Sequence, residues 1–112
     1  MTSYDGAWMH KGATISDKTA RTEFGLTQEE IIRAINDGKL QYRVNYAYDN
    51  PWYRLLRSEV EDLVKSRGGE AHLMQVKTRA ELAKVERELR RHRKEIRTLE
   101  DRRAALLAEL GE

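Results

Sequence analysis

Between Thr27 and Leu56 the spacing of apolar residues switches from helical to alternating, and this switch restricts the fold more than any other stretch. Thr27 and Glu30 have the spacing of a capping box, and Leu26 with Ile31 that of a hydrophobic staple, so a helix is expected to open there. Ile31, Ile32 and Ile35 supply its buried stripe and Gly38 its stop. Strand character then begins at Leu40. Leu40, Tyr42, Val44 and Tyr46 fall on one side, and Gln41, Arg43 and Asn45 on the other. Asp49-Asn50-Pro51 is turn chemistry, which predicts a loop near residues 47–51 and a returning strand over Trp52–Leu56.

The flanks extend this pattern. Ser16 is placed to cap a short helix over Asp17–Phe24, in which Ala20 and Phe24 share a face, and Gly25 provides a left-handed stop. Two helices separated by Gly25-Leu26 have the dimensions of a helix-turn-helix. Ser58 and Glu61 repeat the capping-box spacing ahead of Val60, Leu63 and Val64, and Gly68-Gly69 closes that helix. Residues 1–13 contain two glycines and no sustained pattern, so a loose tail is expected there, with Trp8 and Met9 resting on the head. From Thr78, which with Glu81 could cap a new helix, the seam runs Leu82, Val85, Leu89, His92, Ile96, Leu99, Arg103, Leu106, Leu110. Its steps of three and four make about four heptads. A helix of that length spans roughly 50 Å and cannot bury its stripe on a ~60-residue head, so it needs a partner helix. A homodimer is the simplest partner; a trimer or a foreign helix would also serve.

Composition narrows the class. The charged fraction of 36% and the absence of an apolar run near the roughly 18 residues of a membrane span indicate a water-soluble, cytoplasmic chain without a membrane partner. There is no cysteine, which removes disulfides and thiolate chemistry. His10, His72 and His92 are far apart, and neither metal spacing nor a nucleophile motif accompanies them, so no enzyme activity, cofactor or metal is expected. Charge is uneven: residues 1–70 hold 10 Lys/Arg against 11 Asp/Glu, and residues 71–112 hold 11 against 8.

The run Ile32-Arg33-Ala34-Ile35-Asn36-Asp37-Gly38-Lys39-Leu40 resembles the second-helix-into-wing segment of MerR-type regulators and phage excisionases. Trp52-Tyr53-Arg54 resembles their aromatic-Arg signature on the returning strand, and Ser58–Leu63 the helix that follows. Ser16 to Ala20, Asn50-Pro51 and the helix after the hairpin are also similar to the C-terminal DNA-binding subdomain of the xeroderma pigmentosum group A protein. The chain departs from the regulators' pattern at Ile35 and Leu56, where they carry aromatics, and in Glu29 and Glu30 on the first turn of the second helix.

This resemblance implies a mainly α fold with a small β-hairpin, a winged helix-turn-helix head followed by a long coiled-coil helix. The expected organisation is a tail (1–13), a head (14–67), a junction (68–77) and a dimerisation helix (78–110). It implies a DNA-binding protein, a transcriptional regulator or an excisionase- or phage-type architectural or packaging factor, that meets double-stranded DNA as a homodimer without a small-molecule effector. The expected DNA contacts are Lys18, Arg21, Gln28, Arg33, Lys39, Arg43, Tyr53, Arg54 and Arg57, with Gln28 and Arg33 suited to base edges. Dimerisation falls to the nine seam residues. The alternative is an adaptor, with the head and rod both binding protein and the same charges forming an ordinary solvated surface. For the rod, an antiparallel pairing that layers Leu89 on Leu99 of the other chain brings Glu88 near Arg102, whereas a parallel one opposes Glu81 with Glu86 and Glu95 with Glu100.

Overall fold

The computed structural model of the chain describes residues 2–112, and the chain divides into two units, residues 1–80 and 81–112. In chain order the elements are α1 (Thr2–Met9), β1 (Thr14–Ser16), α2 (Asp17–Phe24), α3 (Gln28–Asn36), β2 (Tyr42–Ala47), β3 (Asn50–Leu56), α4 (Arg57–Lys65) and α5 (Gly69–Leu110). The chain is mostly helical, with one small three-stranded antiparallel sheet and a long C-terminal helix. No described helix is long and apolar enough to cross a membrane.

Local chemistry sets α2 and α3. The Ser16 hydroxyl accepts from the Thr19 N–H at 3.0 Å, and Gly25 ends α2 in the left-handed conformation at φ 68°. The Thr27 hydroxyl accepts from the Glu30 N–H at 3.1 Å, while the Glu30 carboxylate accepts from the Thr27 N–H at 2.9 Å, completing the capping box. Both staple residues, Leu26 and Ile31, are buried. The core of residues 1–80 gathers Phe24, Ile31, Leu55, Val60 and Val64 at its centre, with Ala20, Ala34, Leu40 and Leu73 around them.

In the sheet, β3 lies between β1 and β2, with Ile15 and Tyr42 both in register with Leu55, and Ser16 and Arg43 both in register with Arg54. Because successive side chains alternate between faces, Ile15 and Leu55 turn toward the core, whereas Arg43, Arg54 and Leu56 lie on the opposite face. Trp8 of α1 covers that second face and is only 3% exposed.

Several expectations need correction. Residues 2–9 are helical rather than a loose tail (Met1 lies outside the described residues), and β1 adds a third strand to the expected hairpin. Ile32 is 41% exposed; the buried stripe of α3 is Ile31 and Ala34, with Ile35 packed against the core. The turn falls at Tyr48-Asp49, both at positive φ (52° and 70°), as two-residue hairpin turns require, so Asn50 and Pro51 belong to β3. Helix α4 follows β3 directly, with Leu56 at its N-cap and no capping side chain, so the Ser58–Glu61 spacing does not act as a box. Glu59 instead binds Gln41, accepting its backbone N–H and its side-chain amide, each at 2.8 Å, which ties the entry of β2 to α4. The expected junction is also helical. α5 starts at Gly69 because Leu73 enters the core and Val76 packs against it, one helical step apart. Gly68 makes room for that start: a Cβ there would stand 2.8 Å from the His72 Cβ.

Within residues 81–112 the helix has no buried side chain. The nine-residue seam lies along it in full view of solvent, and the His92 imidazole approaches Glu95 at 3.4 Å.

Candidate nucleic-acid interface

The expected contact residues fall into three groups, each held by different neighbours. On α2 and the start of α3, Arg21 donates to the Gln28 amide oxygen, and Gln28 donates through Nε2 to the buried Asp17 carboxylate at 3.1 Å. Arg21 also approaches Asp17 at 3.7 Å. Each polar atom of the Gln28 amide therefore makes one bond within this network, which fixes its orientation and leaves one N–H and one lone pair for a base edge. Lys18, next along α2, is exposed.

The second group surrounds the C-terminal half of α3. Arg33 and Lys39 border a shallow hollow with Glu30, Asp37 and Arg67. Arg67, absent from the expected set, pairs with Glu30. The outward face of α3 carries Glu29, Ile32, Arg33 and Asn36, at the spacing of one helix face. Asn36 is a further residue on this surface suited to an adenine edge, legible only once the buried face of α3 is fixed.

The third group lies on the outer face of the sheet. Arg43 and Arg54 sit directly across β2 and β3, a like-charge pair that is unfavourable without compensation. Trp8 contributes to it: the Arg43 guanidinium lies 4.5 Å from the centre of the indole ring and that of Arg54 5.8 Å. Arg54 further donates to the Thr14 hydroxyl at 3.1 Å and to the Trp8 carbonyl at 3.3 Å. Arg57 donates to the Gly12 carbonyl at 3.3 Å. Arg54 and Arg57 thus fasten the N-terminal segment to the sheet, and Arg33 has a separate set of neighbours. Tyr53 packs against the core, edge-on to Tyr42 with ring centres 5.5 Å apart.

Compared with known proteins, the chain matches no family model, no curated protein and no solved structure.

Two electrostatic features stand out. The Glu30 carboxyl is held below its ordinary value, first by the Thr27 backbone hydrogen bond and then by the hydrogen bond and charge of Arg67, against the opposing effect of partial burial. A depressed carboxyl contributes stability above its unfolded value, about 4.3, and loses that contribution as pH falls through the folded one. Glu30→Gln keeps an oxygen for Thr27 but cannot titrate. Its urea midpoint should therefore fall less than that of the parent between pH 6 and pH 3; parallel declines would contradict the role given to Glu30. The second feature is Tyr48, 99% exposed at the hairpin tip on a backbone conformation that costs a bulky residue. Tyr42, Val44 and Tyr46 of β2 are exposed as well.

Proposed function

We propose that residues 14–67 form a winged helix-turn-helix head that binds duplex DNA in the cytoplasm, and that the C-terminal helix joins two such chains. The reading is supported chiefly by α3: it buries Ile31 and Ala34, turns Arg33 and Asn36 outward, and leads directly into the β2–β3 hairpin. Such a helix can enter the major groove while the hairpin meets neighbouring phosphates. In this reading Arg33 and Asn36 face base edges, and Lys18, Lys39 and Arg43 meet phosphates. Arg21 serves once released from Asp17, while Arg54 and Arg57 hold the sheet in place.

A salt titration on duplex DNA is the test. The logarithm of a phosphate-driven binding constant must fall linearly with the logarithm of salt concentration. Lys39→Ala should lower that slope by about one, and Arg33→Ala should cost about 1–3 kcal/mol and relax sequence preference. Absence of binding at low salt would remove the proposal.

The second reading, an adaptor, is favoured by the exposed Tyr42, Val44, Tyr46 and Tyr48 on β2 and the hairpin tip. Phosphate contacts do not explain an apolar, aromatic edge, whereas a protein interface would. Loss of a protein partner on Tyr46→Asp, with DNA binding absent throughout, would select it.

A further inference from the structure

The exposed seam of residues 81–112 bears on what covers it. An apolar stripe left in water forgoes its burial energy, so the exposed seam leucines with Val85 and Ile96 call for a matching stripe. The seam itself carries the information. Leu82, Leu89, Ile96, Arg103 and Leu110 occupy one heptad position (a), and Val85, His92, Leu99 and Leu106 the other (d). In a parallel pair each seam residue meets its own copy, which buries Arg103 against Arg103 and sets Glu81 on Glu86 and Glu95 on Glu100, two repulsive flanks against one favourable pair, Glu88 with Arg93.

In an antiparallel pair each a residue meets a d residue, and the flanking contacts join g with g and e with e. The register with Leu89 on Leu99 then places Val85 on Arg103, Glu95 on its own copy and Glu81 on Glu109. Sliding one heptad one way puts Leu89 on His92 and Leu106 on Gln75. Sliding one heptad the other way removes the seam conflicts and leaves Leu82 outside the paired segment. Leu89 then meets Leu106, Ile96 meets Leu99, Val85 meets Leu110, and the polar interruptions His92 and Arg103 fall in the same layer. On the flanks Glu95 faces Arg102 and Arg93 faces Glu100, each twice by symmetry, against one unfavourable pair, Glu88 with Glu109, also doubled. Exposed ion pairs count for little singly, so the seam match decides first and the flanks then reject the parallel arrangement.

We propose that residues 85–110 pair with the same segment of a second copy, antiparallel, about a two-fold axis between Arg97 and Thr98. The paired length is roughly 40 Å. This rests on the reading that the C-terminal helix joins two chains, and it fixes the partner and the register. Neutral His92 can accept a hydrogen bond from Arg103 of the second copy, so the polar layer selects the register rather than merely weakening it.

The full chain has no cysteine, so introduced thiols report the pairing directly. Under mild oxidation an equimolar mixture of Leu89→Cys and Leu106→Cys proteins should yield a disulfide-linked dimer with one of each, and neither alone should cross-link. Cross-linking of Leu89→Cys with itself would establish a parallel pair and overturn the proposal; so would efficient cross-linking of Leu89→Cys to Leu99→Cys. A charge reversal avoids touching the seam. Glu95→Arg should weaken dimerisation roughly tenfold and Glu95→Arg with Arg102→Glu should restore it. A parallel pair would instead be tightened by Glu95→Arg alone. Mass from light scattering separates the two levels: a monomer at every concentration removes self-association itself, whereas a dimer with the wrong cross-links removes only the register.

Discussion

Trp8→Ala is expected to lower the unfolding free energy of the chain by about 3 kcal/mol, the lower end for truncating a buried tryptophan. The indole does two things at once. It closes the outer sheet face, where Leu56 is also buried, and it offers its π face to two guanidiniums that the strand register forces side by side. Without the ring, Arg43 and Arg54 lose the π face they share, and the Trp8 carbonyl that Arg54 uses is no longer held in place. The surface position of α1 allows partial collapse, which is why the upper end of the range is not expected. Urea unfolding followed by circular dichroism measures the loss. A change below about 0.5 kcal/mol, the size of an ordinary surface substitution, would show that α1 does not brace the sheet. The same variant also bears on function: if Arg43 reaches phosphate, freeing it from the indole should not weaken DNA binding, even as stability falls.

Legibility in the sequence followed the locality of the signal. Helix α2 and the start of α3 were readable to the residue because local signals set them: the Ser16 cap and the left-handed Gly25 for α2, and the Thr27–Glu30 box for α3. The hairpin was readable from alternation, although its turn moved to Tyr48-Asp49, since a two-residue turn is set by cross-strand register rather than by the strongest turn formers. β1 is three residues long and shows no alternation to detect; it exists because β3 offers it an edge. α1 carries Gly6 and no clear apolar stripe, and only its tertiary contact through Trp8 reveals its purpose. The early start of α5 depended on Leu73 finding the core, which the Gly68-Gly69 pair concealed. Among the candidate contacts, Arg43 and Arg54 lie on the hairpin strands where the alternation put them, whereas Arg57, expected on the hairpin, opens α4. Residue type could not tell Arg33, on an outward helix face, from Arg54, whose partners Thr14 and Trp8 lie 40 and 46 residues away in sequence.

Ile96→Asp is expected to abolish self-association at micromolar concentration while leaving the head folded. Ile96 lies near the middle of the seam, and the proposed axis brings both copies of the new carboxylate close to the centre of the pair. Burying an ionised group without a partner costs several kcal/mol, and the substitution is made twice per dimer, so dissociation should rise by at least 10²-fold. The head should be unaffected because every buried core residue of the cluster lies between Ile15 and Leu73. In the proposed function, two linked heads would meet DNA at an effective concentration set by their tether, which can add 10²-fold or more to the affinity of either alone. This matters for a chain whose first 70 residues hold 10 Lys/Arg against 11 Asp/Glu, because one such head gains little from phosphate neutralisation. The variant should therefore lose about 10²-fold in affinity for DNA and show a shallower salt dependence. Unchanged mass would mean that the seam does not join two copies. A drop in mass with unchanged DNA affinity would mean that each head binds alone, and the weak charge of the head would then need contacts beyond phosphate to account for binding.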